Sequence, residues 1–270
     1  MRFVTYDAGS GPRAGVLRDG AVVDAGPGGV GALLRASGLD GIGHGGPTVD
    51  PAGVRLLPPV IDPGKIVCMG LNYRDHAAEA GLDPPETPTF FAKFANCLAP
   101  PDAEVPLPAF SQKVDYEAEV AFAIGERCKD VAARDALGKV AGYMLLNDLS
   151  ARDYQFMTPQ WLPGKVFDGS APCGPALVTP DEAGPHDGIE MSLTLNGQTM
   201  QQGSTADLIH GIPALVEYLS KLMTLEPGDV VSTGTPAGVG SARDPHVWLK
   251  PGDVTVIESP TLGRLETRLT

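Results

Sequence analysis

The chain has 270 residues, with 20 Lys+Arg against 33 Asp+Glu and a formal net charge of −13. That length suits one domain with an appendage or two small ones, and a hydrophobic content of 43% is that of a globular chain with a buried core. The acidic balance excludes a bulk electrostatic grip on nucleic acid, and no run of about 18 apolar residues is present to cross a membrane.

Residues 1–60 read as a small leading α/β unit. The opening Met1-Arg2-Phe3-Val4-Thr5-Tyr6-Asp7 meets an acid before a signal-peptide core can form, so no leader is expected. Strands are predicted over 3–6 and 13–17, with Asp19-Gly20 turning into 21–23. A short helix over 30–36 follows, then a Gly/Pro-rich connector over 38–53 and a strand over 54–57. We place the boundary to the second unit, residues 61–270, near Ile61.

The second unit opens with an apolar strand over 65–70 and a short helix over 73–80. A loop over 81–88 holds three prolines and precedes a strand over 89–94. The stretch 114–124 is the clearest strand, and 140–146 is another, running into Asn147-Asp148. Ser150 and Asp153 have the spacing of a capping box, so a helical turn is expected there. Asn196-Gly197 joins strands over 191–195 and 198–201 in a hairpin. Residues 205–223 read as helical, with Pro213 in the first turn of a second segment. Glu226-Pro227-Gly228-Asp229-Val230 and Lys250-Pro251-Gly252-Asp253-Val254 echo each other as turns feeding strands. With 34 glycines and 26 prolines, the whole is a mainly β chain with short helices, an α+β arrangement. Cys68, Cys97, Cys128 and Cys173 form no CxxC pair, which argues against structural zinc and fits reduced thiols in a cytoplasmic protein.

The informative run is Val114-Asp115-Tyr116-Glu117-Ala118-Glu119-Val120-Ala121-Phe122-Ala123-Ile124. Alternation along a strand puts Glu117 and Glu119 on one face, roughly 6.6 Å apart, with Ala118, Val120, Phe122 and Ile124 on the other. Two like charges on one face repel, and burial worsens this unless a hard divalent cation binds both. The spacing alone fits a solvent-facing polar edge as well as a metal site. Asp148, at a strand end beside a capped turn, would complete an all-carboxylate site.

Five segments, in order and spacing, resemble the fumarylacetoacetate hydrolase family. They are Gly70-Leu71-Asn72-Tyr73-Arg74-Asp75-His76-Ala77-Ala78-Glu79, Asp115-Tyr116-Glu117-Ala118-Glu119, Asn147-Asp148-Leu149-Ser150-Ala151-Arg152-Asp153, Gly164-Lys165-Val166-Phe167-Asp168 and Thr233-Gly234-Thr235-Pro236-Ala237-Gly238-Val239-Gly240. The resemblance covers residues 61–270 and points to the branch of acylpyruvases and 2-hydroxyhepta-2,4-diene-1,7-dioate isomerases. It implies a mixed β-roll or sandwich, a homodimer, and Mg²⁺ or Mn²⁺ (Ca²⁺ in crystals) on Glu117, Glu119 and Asp148. It further implies that His76 and Glu79 form a catalytic dyad, three residues apart on one helix face, and that Lys165 stabilises an enolate. Gln155 and Thr235 match positions that hold substrate oxygens, and Arg74, Lys93 and Arg152 are further candidates for an anionic substrate.

Departures at Val166–Ser170 and at Ala92 leave the acids intact but alter the pocket. The expected activity is metal-dependent hydrolysis of a C–C bond in a small β-diketo acid, releasing a 2-oxo acid. The same site would serve an oxaloacetate-type decarboxylase or a hydroxymuconate-type isomerase. A non-catalytic ligand-binding relative is the reading from another class.

Overall fold

The computed structural model describes the chain except Gly41, Gly43 and His44. His44, to which the sequence assigns no role, and part of the 38–53 connector thus lie outside the described residues. A twelve-stranded mixed sheet dominates. Its path runs Thr48–Val49, Ala21–Pro27, Pro12–Arg18, Arg2–Asp7, Ala171–Val178, Val140–Asn147, Ala118–Ile124, Val230–Ser232, Ile66–Gly70 and Thr89–Lys93. Arg55–Leu57 and Leu98–Ala99 pair alongside Arg2–Asp7 and Ala171–Val178. A five-stranded sheet, ordered Gln198–Ser204, Glu190–Leu195, Val254–Ser259, Gly263–Leu269 and Ala103–Val105, packs as a second layer.

The central strand Ala118–Ile124 is buried throughout, and its alternation is visible in the packing. Val120, Phe122 and Ile124 join one core with Leu193, Ile257 and Leu265 of the second sheet and Leu215 and Leu219 of the helix Ile212–Leu222. Ala121 and Ala123 face a second core with Phe3, Val16, Val30, Leu34, Met144 and Leu146. Small residues on that side leave room for the helix Gly29–Ala36 and the first strands. Phe122 is fully buried, so its truncation to alanine would cost about 3–5 kcal/mol.

The two Pro-Gly-Asp turns are the same structure twice. Asp229 donates its N–H to the Glu226 carbonyl (2.9 Å) and its carboxylate accepts the Glu226 N–H (2.8 Å). Asp253 and Lys250 make the same pair at 3.0 and 2.8 Å.

Four details differ from expectation. The run 114–124 breaks into Val114–Asp115 and Ala118–Ile124. The predicted helix 205–223 is a 3₁₀ turn at Thr205–Asp207 and an α-helix at Ile212–Leu222, whose first turn holds Pro213. The connector carries a short strand at Thr48–Val49 and a 3₁₀ turn at Pro51–Gly53. No capping box forms at Ser150: its hydroxyl donates to the Asp148 carbonyl, and Ala151 precedes the helix Arg152–Gln155.

Candidate active site

The break at Tyr116-Glu117 builds the site. Asp115, fully buried, accepts the N–H groups of Tyr116 (2.9 Å), Gly240 (2.7 Å) and Ser241 (3.0 Å) and the Nε–H of Arg152 (2.9 Å). The backbone leaves the ladder there, and Val114–Asp115 pairs instead with Ser150–Ala151. Glu117 donates its N–H to Asn147 Oδ1 (3.1 Å) and accepts the Asp148 N–H on its carbonyl (2.9 Å). These bonds set Asp148 beside the glutamates. Glu117, Glu119 and Asp148 are all buried and bring ligand oxygens within 4.8 Å of one another.

Three cations balance them. Lys165 Nζ donates to Glu117 Oε2 (2.7 Å) and Asp148 Oδ2 (2.8 Å) and lies 4.8 Å from the centre of the Phe91 ring. Lys93 Nζ is 2.8 Å from Asp148 Oδ1, which nevertheless has no aligned hydrogen-bond donor. Arg152 Nη2 sits 2.7 Å from Glu117 Oε1 and 2.9 Å from Asp115 Oδ2. Burial alone would raise Glu117, but Lys165 and Arg152 hold its carboxyl below the usual range. Glu119 goes the other way: burial, then the charges of Asp148 and Glu117, push it well above, despite the Ser232 hydroxyl bonded to it. Burial lowers the Lys165 ammonium and the two carboxylates raise it, with a net rise that keeps it charged. A cluster of hard oxygen donors, one carboxyl forced up by its neighbours and one oxygen without an aligned donor fit a divalent cation of the Mg²⁺, Mn²⁺ or Ca²⁺ type.

The acids open into a cavity of about 440 Å³ whose lining includes Glu117, Glu119, Arg152, Gln155, Lys165 and Thr235. The helix Arg74–Glu79 closes one side. His76 Nδ1 is 3.2 Å from Glu79 Oε2, and both side chains border the cavity. Glu79 is anchored from behind by the Gly238 N–H, at 2.9 and 3.2 Å from its two oxygens. Burial would raise Glu79, but His76 and this N–H hold it below the usual carboxylate range.

Of the candidate residues singled out in the sequence, Asp148, Arg74 and Lys93 do not line the cavity, and Asp148 reaches it only through its contacts with Glu117 and Lys165. Arg74 is turned away, its Nη1 3.4 Å from the Ala206 carbonyl. Lys93 is sealed behind Asp148, donating to Lys165 and Ser170 as well, so it balances a carboxylate from inside the core. Thr235 lines the cavity, yet its hydroxyl donates to the Ala118 carbonyl (2.9 Å) and accepts from Gln201 (2.8 Å), so toward a ligand it can only accept. Sequence reasoning missed Asp115, Ser232 and Gln201, which position the strand and loop. Asp115 had a signal, as an acid inside an apolar run; Ser232 and Gln201 had none. His186 and His246 line no part of the cavity, while His210 bonds the Pro85 carbonyl through its ring (2.9 Å).

Three buried carboxylates that could hold a divalent cation, set beside a cavity in a mixed β fold, define the class as that of a candidate metal-site enzyme. The family described as Fumarylacetoacetate (FAA) hydrolase C-terminal matches residues 65–270, and the chain belongs to it. The mitochondrial oxaloacetate tautomerase FAHD2A of Homo sapiens is 43% identical over 220 residues, covering 80% of this chain and 70% of that protein. Among solved structures, fumarylacetoacetate hydrolase from Exiguobacterium antarcticum superposes with a TM-score of 0.90 at 31% identity. The 5-carboxymethyl-2-hydroxymuconate delta-isomerase from Mycobacterium smegmatis does so at 0.84 and 33%. Each comparison spans 100% of this chain and 99% of the other.

Proposed function

We propose that the chain is a divalent-metal-dependent tautomerase or isomerase of small 2-oxo acids, moving a proton between C3 and the 2-oxo oxygen. The alternative to hydrolysis offered by the sequence is an oxaloacetate-type decarboxylase or a hydroxymuconate-type isomerase; the isomerase part is kept here, and the tautomerase comes from the relative. The observation that carries it is the 43% identity to an oxaloacetate tautomerase across 80% of the chain. When bound at Glu117, Glu119 and Asp148, a divalent cation supplies Lewis-acid polarisation of the 2-oxo group.

The protein's own residues do the rest. Arg152, Gln155 and Lys165 receive the carboxylate and oxo oxygens at the inner end of the cavity. His76 uses Nδ1 toward Glu79, which leaves Nε2 to take the C3 proton and return it to oxygen. Glu79, held by Gly238, stabilises the charged imidazole in between. Lys165 offsets negative charge as it develops on the enolate oxygen. One C–H bond breaks, one O–H bond forms, and no water is consumed.

Hydrolysis is the second reading, supported by the neighbour of TM-score 0.90 named as a hydrolase. It would use the same dyad on a water molecule. The test is oxaloacetate enol decay and C3 hydrogen–deuterium exchange with Mg²⁺ or Mn²⁺ and with chelator, beside pyruvate release from an acylpyruvate. Chelator-sensitive exchange without pyruvate release is the expected result. Cleavage of the acylpyruvate moves the assignment to hydrolase, and pyruvate from oxaloacetate moves it to decarboxylase. His76→Ala is expected to slow exchange about 10²–10⁴-fold while sparing metal binding. The reading includes a homodimer, supported by exposed Phe94, Phe110 and Met157 and checked by light scattering. The four unpaired, buried thiols support a reducing compartment such as the cytoplasm.

A further inference from the structure

The helix Arg74–Glu79, which carries His76 and Glu79, has little to hold it in place by packing. It has six residues, and only Ala77 among them is buried. Helices shorter than about 12 residues are marginal in water without tertiary support, and one alanine methyl supplies little of it. From Gly81 to Phe90 every residue is exposed except Pro85 and Pro88. Where His76 sits is therefore decided by polar ties along this segment.

Ties from both ends of it converge on His210. At the near end Asn72 is buried, and its side chain bonds both backbone groups of His210. Its Oδ1 accepts the His210 N–H (2.9 Å), and its Nδ2 donates to the His210 carbonyl (3.1 Å). The Ile209 N–H donates to the Asn72 carbonyl (2.8 Å), and Tyr73 forms an antiparallel bridge with Leu208. The His210 backbone is thus pinned to the root of the helix. At the far end its ring reaches over to Pro85, with Nε2 2.9 Å from the carbonyl oxygen. A carbonyl only accepts, so Nε2 carries the hydrogen in this pair.

The chain between these ends is closely tied. Ala80, Gly81 and Leu82 donate their N–H groups to the carbonyls of His76 (3.0 Å), Ala78 (3.1 Å) and Ala77 (2.9 Å), and Gly81 turns the chain at φ +67°. Pro84 and Pro85 fix φ in the link that follows. A hold on Pro85 is therefore passed to Leu82 and to the last turn of the helix. Leu82, Glu79 and His76 all line the cavity, whereas His210 does not.

We propose that His210 is a positioning residue, a clasp that joins the two ends of the segment 72–85 and so keeps His76 and Glu79 at the cavity. That the clasp governs turnover rests on the function proposed above; that it orders the segment does not. His210→Ala removes the ring donor and leaves both backbone bonds to Asn72. His210→Gln keeps an amide N–H at a similar reach to Nε2. Should the alanine variant fail to fold, His210→Leu, which keeps bulk without a donor, takes its place.

Amide hydrogen exchange of residues 76–82 is expected to quicken about fivefold in His210→Ala, as loss of one hydrogen bond would give, and to return to the parent's rate in His210→Gln. In Mg²⁺-dependent C3 exchange of oxaloacetate, kcat is expected to fall roughly ten- to a hundredfold in His210→Ala, with KM and Mg²⁺ affinity unchanged. Glutamine is expected to restore it; a merely structural role would lower the melting temperature without a loss confined to kcat. Unchanged amide exchange in His210→Ala overturns the clasp, and so does a loss that glutamine fails to restore. Amides loosened by alanine and restored by glutamine, in a parent without C3 exchange, keep the clasp and reject the tautomerase reading. C3 exchange that His210→Ala leaves unaltered keeps that reading and rejects the hold on His76.

Discussion

Glu119 is in a poor place for a carboxylate on its own. It is 1% exposed, shares its surroundings with Asp148 and Glu117, and is pushed well above the usual range by burial and those charges. Glu119→Gln removes a repelled acid while keeping its shape. The metal-free variant is therefore expected to be at least as thermally stable as the parent. The parent should gain about 2.7 kcal/mol from a cation at a hundred times its dissociation constant, and the variant should gain nothing. Thermal unfolding with and without Mg²⁺ reads both, and equal metal-induced shifts would remove Glu119 from the ligand set. A second acid shows the opposite balance. Asp24 accepts from Arg13 Nε (2.8 Å) and Nη2 (2.5 Å) and from the Tyr6 hydroxyl (2.6 Å). The Arg13 bond, against burial, lowers its carboxyl to about 2. A folded-state value below the unfolded one, about 3.9, gives stability that is complete above the unfolded value and lost as pH falls toward the folded one. The parent is expected to exceed Asp24→Asn by about 1–2 kcal/mol near pH 6, allowing for the partial exposure of Arg13, and to converge with it near pH 2. Denaturant titrations across that range check the convergence.

At the scale of elements, the role proposed for the helix Arg74–Glu79 requires Glu79 to be held in place, and the Gly238 loop holds it. The Gly238 N–H donates to Glu79, and its carbonyl accepts from Tyr116 Oη (3.2 Å) and Arg243 Nε (3.2 Å). Gly238 has φ +102°, and a Cβ there would lie 2.2 Å from the Met200 carbonyl oxygen. Gly238→Ala is expected to shift this loop, free Glu79 and cut turnover at least tenfold, with metal affinity unchanged. Arg243→Gln should give a smaller loss of the same kind. A parallel loss of metal binding would show that the loop supports the acids instead. The legibility of these elements follows from where their forces act. Ala118–Ile124 was readable because alternating burial is written into the residues themselves. The break after Asp115 was not, because it depends on N–H groups from Gly240 and Ser241, more than a hundred positions away. The gap before Ile212 has a similar origin. Asn72 bonds the His210 N–H (2.9 Å) and carbonyl (3.1 Å), and its own carbonyl takes the Ile209 N–H (2.8 Å), so the backbone there serves a neighbour and not a helix. That the three acids and Lys165 come together, and that His76 meets Glu79, was legible through the family resemblance. The burial of Lys93 behind Asp148 was not, since a strand lysine carries no local sign of which way it faces.

At the scale of the whole molecule, the leading residues and the site share one sheet and one core. Arg2–Asp7 pairs with Ala171–Val178, with Arg2 opposite Val178 and Phe3 opposite Leu177. Ala171–Val178 in turn pairs with Val140–Asn147, the strand that leads into Asp148. Phe3, Val16 and Leu34 pack in the same cluster as Ala121, Ala123, Met144 and Leu146, on the face of the strand Ala118–Ile124 that also carries Glu119. A division near residue 60 is thus a proposal about chain organisation, while the energetics are common to both parts. Removing residues 1–60 would open an edge on Ala171–Val178 and strip a core face that holds Phe3 alone at about 3–5 kcal/mol, against a total of about 5–15 kcal/mol for a typical protein. The intact chain is expected to unfold in a single calorimetric transition. The 61–270 fragment is expected to aggregate, or to melt well below the intact chain with weakened Mg²⁺ binding. Two separate transitions in the intact chain, or a fragment that keeps the parent's melting temperature and Mg²⁺ affinity, would show that the acid site stands without its N-terminal backing.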